Sequence, residues 1–167
     1  MIFKNFKKNS LLSLFFVLAI FLLDRFSKIY VINLDKKFFG TEIFSSKFLN
    51  ISLIWNKGIA FGLFSFDEKY LYNILTFIIL IIIIVICYMI INSDGLKKYS
   101  LLMILGGAIG NVFDRIIFKA VPDFIDFHIQ EFHWFIFNVA DIFITLGVIF
   151  MIILEFISNN KKKHEIF

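Results

Sequence analysis

Cysteine occurs once in this 167-residue chain, and so does proline. Cys87 lies inside an apolar run, so it has no intrachain disulfide partner and belongs to no CxxC redox or zinc motif. There is no Pro-rich or Ser-rich linker and no internal repeat, and the chain reads as one domain spanning residues 1–167. HExxH and GxSxG are missing too, which removes the helical-histidine metallopeptidases and the elbow-type serine hydrolases. Charged residues make up only 18%, and the formal net charge is +4. The lysines gather at the ends of apolar stretches, where they set membrane orientation, so nucleic acid is not an expected partner.

What the chain has in quantity is apolar bulk. Sixty per cent of its residues are hydrophobic, 25 are Phe, and the mean hydropathy is +0.88, too high for a soluble domain. Four stretches, roughly residues 11–30, 70–91, 101–118 and 137–156, are each near the ~20 residues needed to cross a hydrocarbon core of about 30 Å. Lipid offers no hydrogen-bond partners, so each must be helical. The first follows Lys4, Lys7 and Lys8, as a signal peptide would. Its apolar run is longer than a signal core and no small-x-small cleavage site follows, so an uncleaved anchor is expected.

Four spans put both termini on one side. Lys4, Lys7 and Lys8, then Lys97 and Lys98, then Lys161, Lys162 and Lys163 all fall on that side, which is therefore expected to be cytoplasmic. The connection with Asp123, Asp126 and Glu131 then lies outside. The long first outer loop, residues 31–69, also carries lysines, but they are spread out and mixed with Asp35, Glu42, Asp67 and Glu68. Alternation over residues 48–55 predicts a strand there. The expected fold is therefore an all-α polytopic membrane protein of four transmembrane helices, with a small extracytoplasmic β-sheet in the first outer loop. Trp55 and Trp134 fall near outer boundaries, where an indole keeps its N–H wet.

Ionisable and amide side chains inside spans are costly and need a partner or a role. Asp24 and Lys28 share a helix face at i and i+4. Asn111, Asp114 and Arg115 form one stripe near the end of the third span, and Asn138 and Asp141 share a face at the start of the fourth. By the topology above, these clusters and the Asp123 and Asp126 connection gather at one depth near the outer leaflet. Asp24 with Lys28 reads as an ion pair anchoring the first span. Asp114 with Arg115 reads equally as a structural pair and as a ligand for a polar head group. Gly106 and Gly110 form a small-xxx-small pattern that lets another helix approach. His128 and His133 have no cysteine partner and no motif, so no metal site is expected. His164 sits in the basic tail.

Without a central serine in the last three spans, the chemistry left is that of carboxylates. Two aspartates sharing one proton can activate water, the ionised one as base and its protonated neighbour polarising the carbonyl. On residues alone Asp114 ranks level with Asp123 for this role. Two other readings compete with this one. An ion path would need polar residues through the full thickness, yet residues 77–85 are wholly apolar. A structural subunit would tolerate Asp to Asn changes.

Five blocks, in order, carry a family resemblance: Asp24-Arg25-Phe26-Ser27-Lys28, Asn56-Lys57-Gly58-Ile59-Ala60-Phe61-Gly62, Gly106-Gly107-Ala108-Ile109-Gly110-Asn111-Val112-Phe113-Asp114-Arg115, Val121-Pro122-Asp123-Phe124 and Phe137-Asn138-Val139-Ala140-Asp141. With them the sequence resembles the lipoprotein signal peptidase (signal peptidase II) family. The resemblance implies an aspartic endopeptidase of the bacterial inner membrane that requires no cofactor or metal, and a monomer is expected. Its substrate would be a diacylglyceryl-modified prolipoprotein presented from membrane lipid. By the same resemblance Asp123 and Asp141 are the dyad, Asn56, Asn111, Arg115 and Asn138 position substrate or orient the dyad, and Asp24, Lys28 and Asp114 support it. Pro122 departs from the family pattern and is expected to stiffen a loop carrying Asp123.

Overall fold

Four apolar stretches form four helices. The computed structural model describes residues 2–58 and 69–164, in the order α1 (Ile2–Lys37), β1 (Phe44–Ser45), β2 (Leu49–Asn56), α2 (Lys69–Ile91), α3 (Gly95–Phe118), β3 (Val121–Ile129), β4 (Phe132–Phe137) and α4 (Val139–His164). The motif residues Ile59 to Gly62, and Asp67 and Glu68 of the outer-loop charge count, lie outside the described residues. Ser10–Lys37, Tyr72–Ile91, Gly95–Phe118 and Val139–Ser158 are long and apolar enough to cross a membrane. Their outward faces carry Phe15, Phe77, Ile84 and Phe156, all more than three-fifths exposed, as lipid-facing surface should be.

The third helix is the hub. Over half of its span is buried, against 6% to 22% for the others. Close approach explains this, because α3 presents glycines to its neighbours. A Cβ on Gly107 would collide with the Ala140 carbonyl oxygen of α4, and one on Gly110 would come 2.5 Å from Asp24 Oδ2 of α1. Thus the glycine pattern does pack helices, and at Gly110 it also makes room for a carboxylate. The helix ends at Lys119, in the left-handed region at φ 58°, which turns the chain into β3.

All sheet pairings are antiparallel, in the order β1-β2-β3-β4. The strand expected over 48–55 is present as β2. However, the sheet is not confined to the first outer loop, since β3 and β4 come from the connection between α3 and α4. Pro122 is therefore not in a loop. It stands in β3 opposite Trp55, and pairing with β4 begins only at Ile125, so its missing N–H breaks no bond to β4.

Candidate active site

Asp24, Arg25 and Lys28 leave α1 toward Asp114 of α3, and all four are buried. Lys28 Nζ donates to Asp24 Oδ2 at 2.9 Å, Asp114 Oδ2 at 2.7 Å and Asn111 Oδ1 at 2.9 Å, which uses all three of its donors. Arg25 Nη2 donates to Asp114 Oδ2 at 2.7 Å, and Nη1 lies 2.5 Å from Oδ1 in the same ion pair. The guanidinium also rests over Phe113, 5.0 Å from the ring centre. Two acids and two bases thus cancel inside the bundle, the condition for burying charge. The Asp24–Lys28 pair follows the i, i+4 reading. Asp114, in contrast, pairs across to α1 and not with its neighbour Arg115. Arg115 donates to the backbone carbonyls of Gly58 (3.2 Å) and Asn111 (3.3 Å) and so ties the residues after β2 to α3.

The start of α4 is held by side chains. Asn138 and Asp141 form a reciprocal box: the Asp141 N–H donates to Asn138 Oδ1 (3.2 Å) and the Asn138 N–H to Asp141 Oδ2 (3.1 Å). The N–H of Ala140 donates to Asp24 Oδ1 at 3.0 Å. Two amides of the first turn, which have no partner inside their own helix, are satisfied in this way.

Asp123, buried on β3, accepts from Asn138 Nδ2 at 2.6 Å and from Asn56 Nδ2 at 2.8 Å. Asp141 accepts from Asn111 Nδ2 at 2.8 Å. Asn138 therefore bridges the two carboxylates, one through its side chain and the other through its backbone. Burial above all, and then the Asp141 charge beside it, push the Asp123 carboxyl up to about 6, against the pull of the two asparagine amides. All nine residues singled out in the sequence meet in this one connected network. Arg25 was missed as a site residue, although it stands in the first block, because no spacing relates it to Asp114 on another helix.

The profile described as signal peptidase (SPase) II matches residues 16–157. The chain belongs to the signal peptidase II family. A lipoprotein signal peptidase of Pelagibacter ubique is 50% identical over 158 residues, covering 95% of each chain, and one of Aquifex aeolicus is 37% identical, covering 96% of each. Two solved structures of bacterial membrane enzymes are similar in fold, at TM-scores of 0.73 and 0.69 with 29% and 31% identity, covering 90% and 85% of this chain and 90% of theirs. The chain is thus a multi-pass membrane protein of a peptidase family.

For a peptidase of this family, the surroundings of the polar network matter. A cavity of about 650 Å³ lies between β3, β4 and α4, walled by Phe127, Phe132, Trp134, Phe137 and Leu146, with Asp141 in its lining. Apart from Asp141, His128 and Thr145, the residues lining this groove are apolar. Separately, the hairpin of β3 and β4 brings Asp126, His128 and His133 together, a grouping that sequence spacing does not reveal.

Proposed function

We propose that the chain is an aspartic endopeptidase that removes signal peptides from diacylglyceryl-modified prolipoproteins at the outer face of the bacterial cytoplasmic membrane, with both termini in the cytoplasm. The observation that carries the reading is that Asp123 and Asp141, from a strand and a helix, both hold to Asn138. The apolar groove supports it, since a lipid-modified substrate can keep its acyl chains among hydrocarbon while the scissile amide reaches Asp141. The relatives' printed name supplies the substrate class.

In this mechanism the two carboxylates share one proton, with Asp123 carrying it and Asp141 as the base. Water attacks the amide carbonyl carbon and gives a proton to Asp141, while Asp123 passes its proton to the carbonyl oxygen, leaving a gem-diol. The diol returns a proton to Asp123 as the C–N bond breaks, and Asp141 protonates the leaving amine. Atoms and charges balance with water alone, and no organic cofactor or metal takes part in a step. Asn56, Asn111 and Asn138 hold the dyad and Arg115 fixes the segment after β2. Asp24, Lys28 and Asp114 brace the ends of the helices. One copy of the chain contains the whole set, so a monomer suffices.

The test is cleavage of a diacylglyceryl-modified prolipoprotein by purified protein in detergent. Asp123→Asn and Asp141→Asn should each lower kcat at least about a hundredfold, the scale of a lost acid–base group. Normal cleavage by either variant rejects the dyad, and it is also what a merely structural role for these acids predicts.

A further inference from the structure

The hairpin of β3 and β4 carries a second polar cluster that the proposed hydrolysis does not use. Asp126 and His128 are two residues apart on β3, with a shift of the β3–β4 register between them. His133 stands directly opposite His128 on β4. One ligand atom from each of the three lies within 4.8 Å of the others. His133 Nδ1 is 2.8 Å from Asp126 Oδ2, and the two imidazoles stack with centroids 5.1 Å apart and planes 24° from parallel. Asp126 is only 5% exposed. Among the described residues, its Oδ1 and His128 Nδ1 are both buried without a hydrogen-bond partner. Orphaned buried polar atoms are rare because each costs about 1–3 kcal/mol. A carboxylate oxygen and an imidazole nitrogen are both electron-pair donors, so each can serve as a ligand to a cation.

We propose that Asp126, His128 and His133 form a binding site for a zinc-class divalent ion, with a fourth position open to solvent. Tetrahedral zinc at about 2.0–2.2 Å from nitrogen and oxygen spaces its ligands roughly 3.4 Å apart. The 2.8 Å contact must widen slightly and a separation at the 4.8 Å limit must close by about 1.4 Å, both within reach of side-chain rotation. Two imidazoles with one carboxylate suit zinc, whereas magnesium and calcium prefer all-oxygen sets. The His133 side chain is 52% exposed, which gives the ion a route in. Because His128 also lines the apolar groove, a bound ion clamps β3 to β4 along that wall.

The inference concerns binding and stands or falls apart from the peptidase reading. Tag-free, chelator-treated full-length protein in detergent is titrated with zinc chloride by calorimetry. Wild type should bind one zinc at micromolar concentration. Both His133→Ala and Asp126→Asn should weaken binding about tenfold or more, while His164→Ala leaves it unchanged. Magnesium chloride should give no comparable binding. Zinc should also raise the melting temperature of wild type and not of His133→Ala, each compared with its own metal-free melt. No stoichiometric binding, equal binding by His133→Ala, or loss of binding on His164→Ala each overturns the site.

Discussion

Three asparagines illustrate how single atoms are aimed. Each has its side-chain oxygen held by a donor: Asn56 by the Gly58 N–H at 2.8 Å, Asn111 by Lys28 Nζ at 2.9 Å and Asn138 by the Asp141 N–H at 3.2 Å. Each amide NH₂ is thereby turned toward a carboxylate, and the flipped amide would set oxygen against oxygen. Lys28 is on this view a positioning residue that acts on Asp141 through Asn111. Lys28→Met should destabilise the protein by about 3–5 kcal/mol, because two buried acids lose a cation. Asn111→Leu, which removes only the relay, should melt closer to wild type yet lower kcat roughly tenfold or more with little change in KM. Melting curves and steady-state cleavage of the two variants check the split. Equal loss of stability and activity in both would leave Asn111 as bracing alone.

Asp123 also makes stability depend on pH. Its carboxyl titrates at about 6 in the folded protein, above the ordinary 3.8. The folded state therefore binds more protons than the unfolded chain between those values, and stability falls as pH rises through that window. The full difference is about 3 kcal/mol, from roughly 1.4 kcal/mol per pKa unit. Asp123→Asn cannot titrate, so its melting temperature should gain on wild type between pH 4 and pH 7. Parallel melting profiles would refute the raised value. The same scale explains why sequence alone could not rank Asp114 below Asp123. Both are acids near the outer ends of spans, and only coordinates reveal that Asp114 faces two cations while Asp123 faces two amides.

Among elements, the helices were legible and half of the sheet was not. An apolar run of about 20 residues is unambiguous, and the spans differ from expectation only at their ends. The helix α1 runs on to Lys37, with Lys36 and Lys37 in its last turn where the helix dipole favours cations. In residues 121–137 the hairpin hides because its turn contains Gln130 and Glu131 and has none of the usual glycine or asparagine. Gln130 takes the left-handed conformation, φ 54°, at its own cost. Between helices, the decisive contact is α3 against α4. A methyl on Gly107 would meet the backbone of Ala140, one residue before Asp141, and Ile144 beyond it. Gly107→Ala should cost about 1–3 kcal/mol of overpacking and lower cleavage as well, by pushing the first turn of α4 away from β3. A melting temperature and kcat both equal to wild type would contradict this.

For the molecule as a whole, the argument turns on sidedness. The sheet and the Asp123–Asp141 pair share one end of the bundle with the α3–α4 connection, while the α2–α3 connection, with Lys97 and Lys98 just beyond it at the start of α3, lies at the other. If lysine density sets orientation, the dyad end faces outward and substrates arrive from the outer leaflet. Cys87, the one cysteine in the chain, makes this simple to measure. In a Cys87→Ser background, Gln130→Cys should react with a membrane-impermeant maleimide on intact cells, and Asp94→Cys should react only after permeabilisation. Gln130 sits at a strand turn and Asp94 just before α3, both clear of the packed core. The reverse labelling pattern would place the carboxylates at the cytoplasmic face, where a substrate translocated before cleavage could not reach them.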